Sequence, residues 1–302
     1  MFENITIIGC GLIGSSILRA INKNKISKKV NVYDKSKEVL SFLSKENLNA
    51  NLSKEIDESV KDADLIIIAA PLSAYKEIFL SIKDHLKKDS ILTDTGSAKK
   101  EVNKIIENIN LQNISWIASH PIAGTEDSGP QAGFAELFDN RWCIISPSKN
   151  AKKEDVKKVK IFWEMLGSKV KQMSFDEHDH ILSLTSHLPH AIAYNIVRTA
   201  INKSDQFRQE VIQYSAGGLR DFTRIAASDP IMWRDIFIDN SVNILKVLDN
   251  FSNNLEELKK AIKEKDKDKL LKIFLSTKEV RKEIIKAGQD TEKPDFGRKK
   301  TN

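Results

Sequence analysis

Apolar residues in the first half of the chain come in short runs separated by amphipathic stretches. The runs cover 5–8, 30–33, 65–70, 91–94, 116–119 and 143–146, and each has the length of a strand. Several are nearly continuous in Ile, Leu and Val, as strands buried on both faces are, and helical spacing fills the gaps between them. That alternation predicts a parallel sheet covered by helices on both sides. A helix over 153–166 and a short strand over 169–173 close the segment. From Phe175 onward the alternation stops and apolar residues fall at helical spacing, as do Ile236, Val242, Leu245, Leu248 and Phe251. The pattern predicts an α/β domain over 1–174, an all-α domain over 175–288 and a disordered tail over 289–302, where Pro, Gly and Lys gather.

Composition narrows the class. The 302 residues are 40% hydrophobic and 30% charged, enough chain for two packed domains without staples. No apolar run approaches the roughly 20 residues that a membrane helix needs, and the first residues lack the marks of a signal peptide. Cys10 and Cys143 stand alone, so no disulfide framework can be drawn, and a cytoplasmic setting is expected. The net charge of +6 is concentrated at the end, where residues 246–302 carry 16 Lys or Arg against 11 Asp or Glu. Both signs are interleaved there as on a solvated helix face, so neither nucleic acid nor a membrane is an expected partner.

Candidate chemistry begins at Gly9-Cys10-Gly11-Leu12-Ile13-Gly14, which follows the first strand and opens a helix. Glycines at this spacing permit a tight turn, let backbone approach a pyrophosphate and bring helix close to strand. The N–H groups of the helix start, around Leu12 and Ile13, face the anion. The second strand ends at Asp34, where a carboxylate can accept both ribose hydroxyls. NAD is therefore expected over NADP, although Lys35 and Lys37 stand next to it. Together with the strand pattern this is a Rossmann-type doubly wound sheet, and its ligands sit beyond the carboxyl ends of the strands. The residues there are Ala70-Pro71, Thr95-Gly96-Ser97 and His120-Pro121. Ser97 also fits as an ordinary helix cap. His120 ends an apolar strand and precedes turn residues, which makes it the candidate base.

The helical half holds two polar clusters, Ser186-His187-Leu188-Pro189-His190 and Gly217-Gly218-Leu219-Arg220-Asp221-Phe222-Thr223-Arg224. The HxxH pair lacks a third ligand and Pro189 interrupts its helix, so no metal is expected. His178 and His180 read as part of a helix start, beside Asp176, Glu177 and Asp179. Two arginines after a Gly-Gly bend suit a two-pronged grip on a carboxylate.

At residues 9–16, 93–99, 119–126, 186–190, 217–224 and 228–235 the chain resembles the prephenate/arogenate dehydrogenases of tyrosine biosynthesis. Ser119 departs from the Gly that many relatives carry there. The resemblance implies oxidative decarboxylation of prephenate or arogenate, with hydride transfer to the nicotinamide. In that role His120 takes the hydroxyl proton, Ser97 orients His120 or the hydroxyl, and Arg224 grips the ring carboxylate. Ser186, His190 and Glu126 meet the side-chain end of the substrate. It also implies a homodimer in which Arg220 and Trp233 reach a partner's site. The competing expectations are a related dehydrogenase for another small hydroxy or imino acid and an NAD-sensing module without turnover.

Overall fold

The computed structural model describes residues 2–109, 111, 114–201 and 205–287, so the tail expected over 289–302 lies outside the described residues. Eight strands are described: β1 (Asn4–Ile8), β2 (Lys29–Tyr33), β3 (Asn51–Ser53), β4 (Leu65–Ile68), β5 (Ile91–Asp94), β6 (Ser115–Pro121), β7 (Trp142–Pro147) and β8 (Lys169–Gln172). They form one sheet in the order β3-β2-β1-β4-β5-β6-β7-β8. Side chains of the central strands alternate between two cores. Ile5, Ile7, Leu65 and Ile67 face one, with Phe162 and Trp163. Ile8, Ile66, Ile68 and Leu92 face the other, with Tyr75 and Phe79. Burial on both faces is why these runs read as unbroken apolar sequence.

The sheet is parallel except at one place. β7 runs antiparallel to β6, pairing His120 with Ile144, which corrects the expectation of an all-parallel sheet. Between β6 and β7 the chain makes only a loop and a 3₁₀ turn (Pro130–Ala132), not the crossover helix that a parallel return needs. The helices of this part are α1 (Leu12–Asn24), α2 (Lys37–Leu43), α3 (Ile56–Val60), α4 (Tyr75–Ile82), α5 (Lys100–Ile109) and α6 (Lys153–Met165).

Helices follow from there: α7 (Phe175–Leu182), α8 (Leu188–Ile201), α9 (Asp205–Gln213), α10 (Gly217–Thr223), α11 (Pro230–Asp239), α12 (Ser241–Lys263) and α13 (Lys267–Lys286). Pro189 does not interrupt its helix. A π-helical turn over Ser183–His187 joins α7 to α8, and the wider turn accommodates the N–H that proline lacks and the bulk of its ring. The chain divides into two compact units, one ending at Leu245 and the other starting at Lys246. Helices α7 to α11 thus belong to the same unit as the sheet, and they carry residues to its carboxyl edge. In the second unit Asp266 caps α13 by accepting the Lys269 N–H at 2.9 Å.

Candidate active site

The strand order reverses between β1 and β4, and a cleft of about 790 Å³ opens beyond their carboxyl ends. Gly9 has φ +88°, and a Cβ there would lie 2.6 Å from the Ala69 carbonyl oxygen. A Cβ on Gly14 would fall 2.1 Å from the Gly9 oxygen. Folding alone demands both glycines. Gly11 differs, because a Cβ there would meet nothing within 4 Å. Gly11, Leu12, Ile13, Ala70 and Pro71 line the cleft, and the first turn of α1 contains no acidic residue. Its N–H groups have no partner within the helix. Open space, orphan donors and a first helical turn without acidic side chains fit a pyrophosphate. Asp34 stands beside the loop, outside the cleft lining. Its Oδ2 accepts the Cys10 N–H at 2.7 Å and its Oδ1 the Ser36 N–H at 2.9 Å, which fixes the carboxylate at the end of β2. Burial, with Asp34 nearby, pushes the Cys10 thiol up to about 12, so Cys10 is packing rather than chemistry.

His120 lines the cleft from the end of β6 and is only 8% exposed. Its Nδ1 lies 2.8 Å from Nε2 of His178, whose own Nδ1 lies 2.8 Å from Oδ1 of Asp179. Asp179 also accepts the N–H groups of Lys99 and Lys100, each at 2.9 Å. Burial pushes the His120 imidazole well below its ordinary range, and His178, Lys99 and His187 repel a proton there too. It is neutral at pH 7. A second network holds the strand that carries it. Lys99 Nζ donates to both oxygens of Asp94, at 2.8 and 2.7 Å, and to the Ser119 carbonyl at 2.6 Å. Asp94 accepts the Ser119 N–H at 2.9 Å. The Ser119 hydroxyl pairs with Thr93 at 2.7 Å, which gives this serine a buried partner. Breaking one side of such a buried pair costs about 3–5 kcal/mol, so the Asp94–Lys99 bridge is a firm brace for residue 120.

Ser97 lines the same cleft, but the ring nitrogen of His120 is held by His178 rather than by Ser97. Nor does Ser97 serve as the cap of α5; the carboxylate of Asp179, from another helix, takes that role. On the far wall His190 donates Nδ1–H to the Ser186 carbonyl at 2.9 Å, leaving Nε2 to the cleft. The His190 ring stacks on Trp233, with centroids 3.6 Å apart. Trp233 is 5% exposed and lines the cleft of its own chain. Asp235 anchors that helix by accepting the Ser73 N–H at 3.2 Å. Arg224 and Glu126 face each other across the opening at 3.1 Å, both solvent-accessible. Arg220 is 61% exposed, lies outside the cleft lining and pairs with Asp221 at 3.6 Å. The cleft thus brings together His120, Ser97, Arg224, His190, Ser186, Glu126 and Trp233, and leaves out Arg220.

Sequence reasoning missed His178, Asp179, Asp94 and Lys99. One signal was present: on α7, His178 and Asp179 fall three and four positions after Phe175 and share its inward face with Leu182. Polar residues on the buried stripe of an amphipathic helix mark a buried network. His187 is buried as well, its Nδ1 accepting from Asn240 at 3.1 Å and its imidazole pushed down to about 4 by desolvation.

A glycine turn feeding a helix at the switch point of a doubly wound sheet, with a neutral imidazole across the cleft, defines a nucleotide-dependent oxidoreductase. Residues 17–172 match the family model described as "Prephenate dehydrogenase, nucleotide-binding domain", and residues 174–276 match "Prephenate dehydrogenase, dimerization domain". The chain belongs to the prephenate dehydrogenase family. It is 40% identical over 281 residues to the cyclohexadienyl dehydrogenase of Zymomonas mobilis, covering 93% of this chain and 96% of the relative. It is 31% identical to the prephenate dehydrogenase of Bacillus subtilis, with 93% and 76% covered. Among solved structures it is similar to the prephenate dehydrogenase of A. aeolicus in complex with hydroxyphenyl propionate and NAD+. That match has a TM-score of 0.86 at 32% identity and covers 94% of this chain and 99% of that one. The glycine loop precedes residue 17 and stands on its own geometry.

Proposed function

We propose that this chain catalyses the NAD-dependent oxidative decarboxylation of a cyclohexadienyl acid, prephenate or arogenate, to 4-hydroxyphenylpyruvate or tyrosine. The observation that carries the reading is His120, neutral and held through Nδ1, on the wall of the cleft that the glycine loop opens. The names of the relatives and the NAD+ complex of the A. aeolicus enzyme support it. NAD, when bound, supplies the hydride acceptor.

The protein's own part is positional and basic. Gly11 and the start of α1 receive the pyrophosphate, and Asp34 takes the ribose hydroxyls and repels a 2′-phosphate. His120 Nε2 accepts the ring-hydroxyl proton while the hydride departs from the carbinol carbon. Carbon dioxide then leaves, its bonding electrons entering the ring as it becomes aromatic. Arg224 grips the ring carboxylate, exchanging its exposed pair with Glu126 for the substrate; surface pairs of this kind are worth about 0–1 kcal/mol, so the exchange is cheap. His190 and Ser186, backed by Trp233, meet the side-chain end with Glu126, and Ser97 borders the reacting hydroxyl. Residues 1–174 form the cofactor-binding part and 175–288 the substrate-binding and dimerisation part of a homodimer. The dimer reading is supported by the second family model and by exposed apolar residues such as Ile231, Ile238 and Val242. The free, buried cysteines support a cytoplasmic setting, and no helix among the described residues is long and apolar enough to cross a membrane.

The test is to mix purified protein with prephenate or arogenate and with NAD or NADP, and to follow absorbance of the reduced nicotinamide. The reading predicts reduction of NAD in preference to NADP with at least one of the two acids. Absence of reduction with both acids overturns it.

A further inference from the structure

His178 and Asp179 lie behind His120, buried at 0% and 1% exposure, and neither lines the cleft. Asp179 accepts backbone N–H groups on both oxygens and can only accept from His178 as well, so His178 donates through Nδ1 at 2.8 Å. A neutral His178 then carries a lone pair on Nε2. That lone pair is 2.8 Å from His120 Nδ1, which must donate to it. We propose that His178 and Asp179 are positioning residues that lock His120 in its Nδ1–H tautomer, so that Nε2 meets the substrate hydroxyl as a bare base. The inference rests on His120 being the base.

The reverse assignment, with His120 Nδ1 bare, would need protons on both nitrogens of His178. Desolvation opposes that charge, Lys99 repels it, and only Asp179 and Asp94 favour it. The buried face of α7 also argues for a role beyond packing, since apolar residues there would avoid the cost of desolvating an imidazole and a carboxylate. When the substrate proton moves to Nε2, the Nδ1–H stays shared with His178, and the Asp179 carboxylate lies behind the new positive charge. This is the base-plus-orienter logic of hydrolytic triads, with one more imidazole between base and carboxylate.

Two readouts test the proposal on the full-length protein with NAD bound. ¹⁵N NMR of histidine-labelled protein at neutral pH, assigned by the signal lost in His120→Asn, should show His120 protonated on Nδ1 and bare on Nε2. In kinetics, His178→Leu removes the acceptor and should lower kcat at least about tenfold while changing the KM values less than about twofold. His178→Gln, whose Oε1 can accept from the same Nδ1–H, should keep the tautomer and recover most of the loss. A wild-type His120 protonated on Nε2 overturns the proposal whether or not the variants fold. So does a folded His178→Leu enzyme with kcat near that of wild type. If His120→Asn itself retains full turnover, the base assignment fails, a result distinct from either of these.

Discussion

The proposed role of Arg224 is one of binding rather than chemistry. Its guanidinium is exposed and pairs with the likewise exposed Glu126, a surface contact it can exchange to turn its fork to a carboxylate. Arg224→Lys keeps the charge and loses the two-pronged geometry. A hydrogen bond to a charged group is worth about 1.5–3 kcal/mol, so KM for the acid should rise roughly 10- to 150-fold with NAD affinity unchanged. Steady-state kinetics with titration of NAD checks this, and unchanged substrate kinetics would remove Arg224 from the site. Arg224 and His120 stand out in the sequence as cleft candidates because reactive side chains follow a Gly-Gly bend or end a strand; Arg220, after the same bend, lies outside the cleft lining. Asp94 and Lys99 do not: their meaning depends on hydrogen bonds to Ser119 on the neighbouring β6, 25 and 20 residues away, which no local pattern encodes.

At the scale of elements, the glycine loop separates what the fold needs from what a ligand needs. Gly9 is required by the close approach of Ala69 beyond β4 and Gly14 by a contact inside the turn, whereas Gly11 faces open space. Gly11→Ala should therefore leave the thermal midpoint within a few degrees of wild type while weakening NAD binding at least about tenfold, because the methyl group occupies the pyrophosphate's approach. Calorimetric titration alongside a melting curve distinguishes the two effects; full NAD affinity in the folded variant would contradict the assignment. Most of the strands that were legible are largely buried; β8, also legible, is mostly exposed. β3, three residues long at the sheet edge and only partly buried, carries too little apolar sequence to be seen. The turn of β7 against β6 was hidden for a different reason, since strand composition does not record direction. The π-helical turn before Pro189 likewise depends on how one long helix absorbs a proline, which composition alone reads as a break.

For the whole molecule, the buried histidines couple folding to pH. His120, His178 and His187 all have imidazoles depressed by burial. In the unfolded chain each titrates near about 6.5. The folded state therefore binds fewer protons than the unfolded state below that pH. Stability from these groups is complete above about pH 6.5 and is lost progressively as pH falls toward the folded-state values. Urea denaturation midpoints should be level from about pH 8 to 7 and decline from about 6.5 to 5. A flat midpoint across the second interval would show that the three rings are not held neutral. Architecture was the most legible level of all, because alternation of strand and helix followed by helix alone specifies a doubly wound sheet with a helical successor. Helices α7 to α11 pack into the unit that contains the sheet although their sequence pattern is purely helical, a tertiary association that helical spacing does not encode.

The account depends most on His120 as the acceptor of the hydroxyl proton. The direct measurement is the pH profile of kcat/KM for wild type and for His120→Asn, with folding checked by NAD binding. Burial and the repulsion from His178, Lys99 and His187 place the acidic limb of the free enzyme below pH 6.5, so the wild-type rate should be level through neutrality and fall only in more acidic solution. His120→Asn should lose about 10²- to 10⁴-fold in turnover and lose that limb as well. A folded variant that keeps both near-normal turnover and the acidic limb would contradict the account.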